Sequence, residues 1–341
     1  MNRVTRHLNV IRKYFFLAVN TGLMQGSVPD ARCRDFYRAR SKHGLHCSIV
    51  GNVVTPNGVG SNNVCSEISN DPGWYHLADA IAEQGAIAGI QLSSTWKGYQ
   101  GIRSFLPSSG DKQIAEYKKI ALSLSMTDVM AAFDSLRWGT DLAIKAGFRH
   151  VQLHAAHGYL FNLLIDRRLS SHADLARQSI EAWARDLASA EIETSIRFSM
   201  SSGHPVFDQD QGQRFVDEVA SMPVNYLDAS AGFYNINKRL IYPSTSQLLL
   251  ERVDATLAIA KRHPAANLIL SGMSSHAWSG PTPPNVHIGI CRDLIANPDY
   301  LLERTNGCST CMKCHYFSRG AAHLTCGQWA QLSQTPDIRP L

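Results

Sequence analysis

Ala146-Gly147-Phe148-Arg149-His150-Val151-Gln152-Leu153-His154-Ala155-Ala156-His157-Gly158-Tyr159-Leu160 is an apolar-rich run that breaks into a loop carrying two histidines and a tyrosine. Its middle, His150–His154, has the length and composition of a buried strand, and the amphipathic Met126–Ala146 before it has the period of a helix. Helix, strand and polar loop in that order are one piece of a repeating βα chain. The same alternation extends in both directions. Strands are expected at Tyr14–Asn20, Leu45–Val53, Ala86–Leu92, His150–His154, Thr194–Met200, Asn225–Ser230, Ala266–Ser271 and Asn285–Ile290, eight in all. Between them, helices are expected at Pro72–Gln84, Met126–Ala146, Ala176–Ala190, Gln211–Ser221 and Gln247–Arg262, punctuated by Gly, Pro, Asp or Ser. The seventh helix is weak, because Ser274–Pro284 is short and holds Trp278, Gly280 and three prolines. Eight strands with helices between them predict a closed (β/α)8 TIM barrel over about 14–305, with a Cys-containing extension over about 306–341, the whole forming a single domain over 1–341. An open doubly wound sheet is the alternative, but no G-x-G-x-x-G follows the first strand.

Length and composition agree. A chain of 341 residues is long for an average domain and ordinary for such a barrel. Hydrophobic residues at 44% and charged residues at 18% supply a sizeable core and give no case for disorder. The net charge of +5 is small, and no basic run interleaved with aromatics would track a phosphate backbone, so nucleic acid is not an expected partner. Met1–Asn20 is basic, then apolar at Phe15–Val19, but that run is too short and lacks a small-residue cleavage site, so it reads as a buried strand and not a signal peptide. No apolar stretch is long enough to span a bilayer. Eight cysteines, four of them between Cys308 and Cys326, suit a reducing, cytoplasmic setting better than a disulfide framework. The expected partner is a small-molecule substrate, and a homo-oligomer is compatible with the composition.

In a TIM barrel, chemistry sits at the carboxyl ends of the strands. Polar residues collect there: Asn20 and Thr21, Gly51 and Asn52, Gln91, His154 and His157, Arg197, Asp228 and Ser230, and Arg292. His154 ends a strand at the mouth, and His157 and Tyr159 on the adjoining loop can converge with it on one small ligand. Two imidazoles so placed can stabilise developing enolate charge, each donor contributing ~10²–10³ in rate. The alternatives are a structural pair or a metal site, and H-x-x-H without a well-placed carboxylate is a poor zinc motif.

The segment His154-Ala155-Ala156-His157-Gly158-Tyr159-Leu160 closely resembles the signature of the old yellow enzyme family, FMN-binding TIM barrels of the NADH:flavin oxidoreductase and ene-reductase type. The resemblance runs from Tyr14 to Cys326 and is specific at this segment and diffuse elsewhere. It implies that His154 and His157 hydrogen-bond an electron-withdrawing oxygen of the substrate, while Tyr159 donates a proton. Leu17-Ala18-Val19-Asn20-Thr21 resembles the first-strand A-P-M-T segment, which implies Ala18 at the cofactor and Thr21 near the flavin C4 carbonyl and N5; Val19 and Asn20 replace the usual Pro and Met. Val50-Gly51-Asn52-Val53-Val54-Thr55-Pro56 resembles the second-strand segment, with Gly51 in the flavin-contact position. Gln91 matches the glutamine on the flavin pyrimidine edge, and Arg197 matches the arginine beside N1 and the C2 carbonyl. A fixed cation there would favour the anionic reduced flavin. A surface ion pair is the competing reading for Arg197.

Phosphate is expected on the loops after strands seven and eight. Ile269-Leu270-Ser271-Gly272-Met273 resembles the family's V-G-G-I turn, and Ile288–Asp299 resembles its A-L-G-R-P-L segment. This implies that Gly272 lets the backbone approach the phosphate and that Arg292 pairs with it. Cys291 stands where the family has Gly, in a turn expected to be tight for its side chain. After Leu160 the family continues into a long N-x-R-x-D-x-Y-G-G loop, whereas Asp166–His172 leads straight into the next helix, so a cut-back rim is expected.

Cys308-x2-Cys311-x2-Cys314-x11-Cys326 could hold zinc or an iron–sulfur cluster, or stay unligated; the family's cluster-bearing members space the third Cys differently. The resemblance implies an FMN enzyme that takes a hydride from NADH or NADPH and passes it through flavin N5 to an activated, α,β-unsaturated C=C bond. The rivals are a flavin-dependent oxidase, desaturase or rearrangement enzyme on the same fold, and, from another class, a non-catalytic flavin- or metal-binding module. A tRNA dihydrouridine synthase would need a catalytic Cys and a basic helical tail, which the chain lacks.

Overall fold

The computed structural model describes residues 12–278 and 280–329. Residues 1–11, Ser279 and 330–341, the last of which include the end of the expected Cys-containing extension, lie outside the described residues. All eight expected strands form, in chain order: β1 Tyr14–Phe16, β2 Cys47–Val54, β3 Ile87–Ser93, β4 His150–Ala155, β5 Glu193–Ser199, β6 Tyr226–Ser230, β7 Leu268–Leu270 and β8 Val286–Ile290. They close into a parallel barrel, sealed where Phe16 pairs with Ile290 on one side and with Ser48 on the other.

The five expected helices are Pro72–Ala82, Met126–Lys145, Ala173–Ser189, Gly212–Ala220 and Ser246–Arg262. Their starts follow from local chemistry that satisfies otherwise orphaned N–H groups. Asp71 accepts from Gly73 N with Pro72 behind it, and Ser125 and Asp128 form a reciprocal capping box. Among the described residues between β7 and β8 only a short 3-10 turn, Ser274–His276, is found, as the proline and glycine content of the segment requires. Two helices of ten residues or more among the described residues had no expectation: Ala31–Arg40, whose ARCRDFYRAR buries only Cys33, Phe36, Tyr37 and Arg40, and Asp111–Ser123, which buries only Tyr117 and Ala121. Such narrow apolar faces give little periodic signal.

Outward-facing strand residues such as Val151, Leu153, Ile196 and Phe198 join helix residues including Ile180 and Trp183 in the main apolar layer. Each such fully buried side chain contributes about 1.5–3 kcal/mol. Trp183 also donates to Thr140 Oγ1 at 3.0 Å, tying two outer helices together. Inside the barrel, Phe15, Leu17, Cys47, Ile49, Tyr226 and Ile269 make an apolar half. The other half is polar: His150 pairs in register with Glu193, Gln152 with Gln91 and Ser195, and Arg197 with His154 and Asp228.

After β8 the chain returns over the mouth. Leu324 N donates to Thr21 O at 2.8 Å, Tyr316 OH to Asn20 Oδ1 at 3.0 Å, and Trp329 Nε1 to Ile295 O at 2.8 Å. No described helix is long and apolar enough to cross a membrane.

Candidate active site

His154 is the last inward position of β4 that reaches the mouth, and it is 4% exposed. The loop beyond it turns sharply. His157 takes φ +64°, a conformation that costs a non-glycine residue energy, and it is held there by its N–H donating to Ser199 Oγ at 2.9 Å. Gly158 follows at φ +75°, and its N–H donates to Asn162 Oδ1 at 2.9 Å. The chain then enters the short helix Leu160–Ile165, with Tyr159 at its N-cap.

Three rings converge as a result. Tyr159 stacks on His154 with centroids 4.8 Å apart, and His157 meets His154 edge-on at 5.0 Å. His157 Nε2 lies 2.8 Å from Ser230 Oγ, while His154 Nδ1 is buried and has no partner. A buried nitrogen without a protein partner at a cavity wall is free to hydrogen-bond a ligand or a water molecule. Burial, reinforced by the Arg197 cation, pushes the His154 imidazole down to about 3. Burial also holds His157 well below the ordinary range, with His154 and Arg197 adding to it. Burial raises the Tyr159 phenol. At neutral pH the site therefore presents two neutral imidazoles and a protonated phenol, all competent to donate hydrogen bonds.

Arg197 is neither a surface residue nor a free cation. Its Nη1 pairs with the fully buried Asp228, and its Nη2 donates to Ser230 Oγ at 3.3 Å. The expected fixed cation is thus paired with a carboxylate whose other oxygen, Oδ1, has no hydrogen-bond partner.

Of the residues expected at the cofactor, Ala18, Gln91, Arg197, Gly272, Cys291 and Arg292 line this cavity. Thr21 and Gly51 do not. They line a small neighbouring crevice beside Tyr37 and Trp74. Thr21 Oγ1 is spent on Leu23 N–H at 3.2 Å, and a Cβ on Gly51 would lie 2.9 Å from that of Gln91, so Gly51 serves strand packing. The chain neighbours Asn20 and Asn52 take their places at the wall. Cys291 has φ −135°, which any residue adopts, so the turn does not call for glycine.

The phosphate expectation fits the residues present. Gly272 sits at φ +79°, and a Cβ there would come within 3.1 Å of Pro243 Cγ and 3.3 Å of Arg252 Nη1. Arg292 donates through Nη2 to Pro243 O at 2.5 Å, which leaves its buried Nη1 without a partner. Guanidinium N–H groups left free beside a glycine backbone suit a phosphate oxygen. Sequence reasoning missed Arg252. It is 4% exposed and braces the loops by donating to Ala229 O at 3.2 Å and Ser271 Oγ at 3.3 Å; an arginine on the apolar face of Ser246–Arg262 was its only signal.

The segment Asp166–His172 does lead straight into Ala173–Ser189, stapled by the Asp166–Arg168 ion pair at 2.7 Å. The mouth is nevertheless not left open, because Cys314, His315, Tyr316, Phe317 and Ser318 of the tail form part of its wall. For the four tail thiols, read from the sequence as a zinc or iron–sulfur ligand set or as unligated cysteines, no metal site is shown: among the described residues, no three His, Cys, Asp or Glu side chains are grouped to hold a metal ion. Burial raises the Cys308 and Cys326 thiols and pushes Cys314 up to about 12, whereas at Cys311 burial is outweighed by backbone hydrogen bonds at Lys313 and Gly327, which hold that thiol below its ordinary value.

A model of the NADH:flavin oxidoreductase / NADH oxidase family matches residues 17–308. A NADH-dependent flavin oxidoreductase of Hypocrea jecorina is 26% identical over 290 residues, covering 72% of either chain. An NADH oxidase of Thermoanaerobacter brockii is 26% identical over 254 residues, which are 67% of this chain and 38% of that one. The crystal structure of old yellow enzyme from Pichia sp. AKU4542 superposes with a TM-score of 0.57 at 14% identity, over 86% of this chain and 83% of that one, a likeness of fold.

Proposed function

The chain belongs to the NADH:flavin oxidoreductase / NADH oxidase family, and from that premise we propose that it is an FMN-dependent ene-reductase, using NAD(P)H to reduce an activated, α,β-unsaturated C=C bond. FMN, when bound, supplies hydride acceptance and delivery at N5. Arg292 and the Gly272 backbone would hold its phosphate, Gln91 and Arg197 its ring, with Ala18 against it. His154 and His157 would bind the carbonyl or nitro oxygen of the substrate as neutral N–H donors. Because they are already fixed by burial and by Ser230, little reorganisation is needed as negative charge builds on that oxygen, and each is expected to contribute ~10²–10³ in rate. Tyr159, kept protonated by its buried setting, would deliver the proton to the α-carbon. The balance is one hydride from the nicotinamide and one proton from Tyr159, the latter replaced from solvent.

The observation that carries this reading is the convergence of His154, His157 and Tyr159 on one cavity, with His154 Nδ1 left unsatisfied at its wall. A visible spectrum of the purified protein, before and after dithionite, should show a bleachable flavin. Added phenol should give a long-wavelength charge-transfer band that vanishes in the His154→Ala/His157→Ala double variant while FMN stays bound, and cyclohexenone should oxidise NADH or NADPH only with the histidines intact. A colourless protein that takes up no FMN, or a band that survives the double change, overturns the assignment.

A further inference from the structure

The polar half of the barrel interior is a continuous chain. At the closed end, Glu193 Oε2 lies 3.0 Å from His46 Nε2 and 3.2 Å from His150 Nδ1, while Oε1 receives Tyr226 OH at 3.2 Å and Lys13 Nζ at 3.5 Å. His150 Nε2 is 2.7 Å from Ser195 Oγ, Gln152 Nε2 donates to Ser195 Oγ at 3.0 Å, and Gln91 Nε2 donates to Gln152 Oε1 at 2.6 Å. His150, Gln152 and Ser195 are wholly buried, and Gln91 is 3% exposed, so bulk water does not reach the links beyond Glu193. Gln91 is the member that reaches the cavity.

We propose that Glu193, at the closed end of the barrel, sets the orientation of the Gln91 amide at the mouth through a directional hydrogen-bond chain running through His150, Ser195 and Gln152. The direction follows from what each group can do. Burial alone would raise the Glu193 carboxyl, but its hydrogen bonds from His150 and His46 outweigh that and hold it well below the usual range, so it accepts only. His150, kept neutral by burial, must then carry its proton on Nδ1 and offer a bare Nε2. Ser195 has to donate its hydroxyl to that nitrogen, which leaves its oxygen to accept from the Gln152 amide. Gln152 consequently turns its carbonyl toward Gln91, and Gln91 spends one N–H on it. The mouth is left facing the Gln91 carbonyl oxygen and its second N–H. A carboxylate four hydrogen bonds away thus decides which end of an amide a ligand meets, and Glu193, His150, Ser195 and Gln152 are positioning residues for Gln91.

The same logic says how to reverse the chain. In Glu193→Gln the shape is kept, but one oxygen becomes an NH2 group. Lys13 can only donate, so the remaining oxygen stays on its side and the NH2 falls opposite His150 Nδ1. His150 must then move its proton to Nε2, Ser195 must donate to Gln152, and both amides flip, so that Gln91 presents its NH2 to the cavity.

Nitrogen-15 NMR of labelled histidine in the full chain reads the first half directly, with or without a flavin. His150 is expected as the Nδ1–H tautomer in the native protein and as Nε2–H in Glu193→Gln; Nε2–H in the native protein overturns the proposal. The second half rests on the flavin reading above and uses FMN as its probe. Removing the carbonyl acceptor should weaken FMN binding about tenfold in Glu193→Gln, the value of one neutral hydrogen bond. Ser195→Ala, which cuts the chain in the middle with a smaller change, should weaken it to a similar degree. In a Gln91→Ala background Glu193→Gln should have no further effect, because the signal passes only through that side chain. A tautomer that reverses with unchanged FMN affinity, or an effect that persists without Gln91, refutes the coupling. A native protein that binds no FMN would instead defeat the functional assignment, with the tautomer measurement still deciding the chain.

Discussion

If His154 is neutral in the folded protein, acid must destabilise the fold through it, and replacing it must remove that part of the loss. Burial, with Arg197 nearby, holds the imidazole down at about 3, against 6.5 in the unfolded chain. The sign follows from linkage: a base whose folded pKa is depressed contributes stability above the unfolded value, and this is lost as pH falls from 6.5 toward 3. Between pH 6.5 and 4.5 the unfolded histidine goes from half to almost fully protonated, while the folded one stays neutral. That difference amounts to about 1.7 pH units at 1.36 kcal/mol each, or about 2 kcal/mol. At 4% exposure no allowance for solvent screening is needed. His154→Asn keeps an N–H donor and cannot titrate. Urea unfolding followed by tryptophan fluorescence, at the two pH values, should show the native protein losing about 2 kcal/mol more than the variant. His287 and His315, each pushed down to about 4 chiefly by burial, act in the same direction but are common to both proteins and cancel. Equal losses would mean that the folded state accepts the proton, and the picture of a neutral donor pair would fall with it.

Tyr159→Phe should leave reduction of bound flavin by NAD(P)H nearly unchanged and slow reoxidation by an enone by roughly 10²–10⁴, the contribution of a positioned acid; stopped-flow traces of the two half-reactions decide it, and equal modest effects on both would assign the proton elsewhere. The Arg292→Ala variant is expected to weaken FMN binding by roughly 10–100-fold, as loss of one charge-assisted hydrogen bond implies, and an unchanged dissociation constant by fluorescence quenching would remove Arg292 from the phosphate site. Gly272→Ala should destabilise the protein by about 1–2 kcal/mol, since φ +79° disfavours a side chain and Pro243 Cγ would stand 3.1 Å from it; a urea midpoint equal to that of the native protein would show that the turn relaxes freely.

The βα alternation could be read from the chain because each barrel strand is a short apolar run bounded by turn residues, and all eight appear within a few residues of expectation. The His154-Ala155-Ala156-His157-Gly158-Tyr159 group was readable for a similar reason: its three rings come from one strand end and one tight loop, so local geometry brings them together. Where the expectation slipped, it slipped by one residue, from Asn20 to Thr21 and from Asn52 to Gly51. At a strand end the side-chain direction alternates with each residue, and the irregular backbone beyond the last pair removes the reference for counting. The pattern His150-x-Gln152-x-His154 beside Glu193-x-Ser195-x-Arg197 was also present as period-two polarity, but its meaning depended on strand register.

By itself, then, the sequence determined the eight strands, five of the helices between them, their order and the one constellation built from neighbours along the chain, because periodicity and turn chemistry act over a few residues. Only the tertiary structure decided what long separations bring together. It set Asp228 against Arg197, Arg252 behind Gly272, and the thiol-bearing tail across the mouth as a wall without a metal ligand set among the described residues. It also brought Glu193 into line with Gln91, 102 positions apart by the numbering. Barrel closure fixes which strand ends face one another, and that closure is a property of eight strands at once, written in no single stretch of residues.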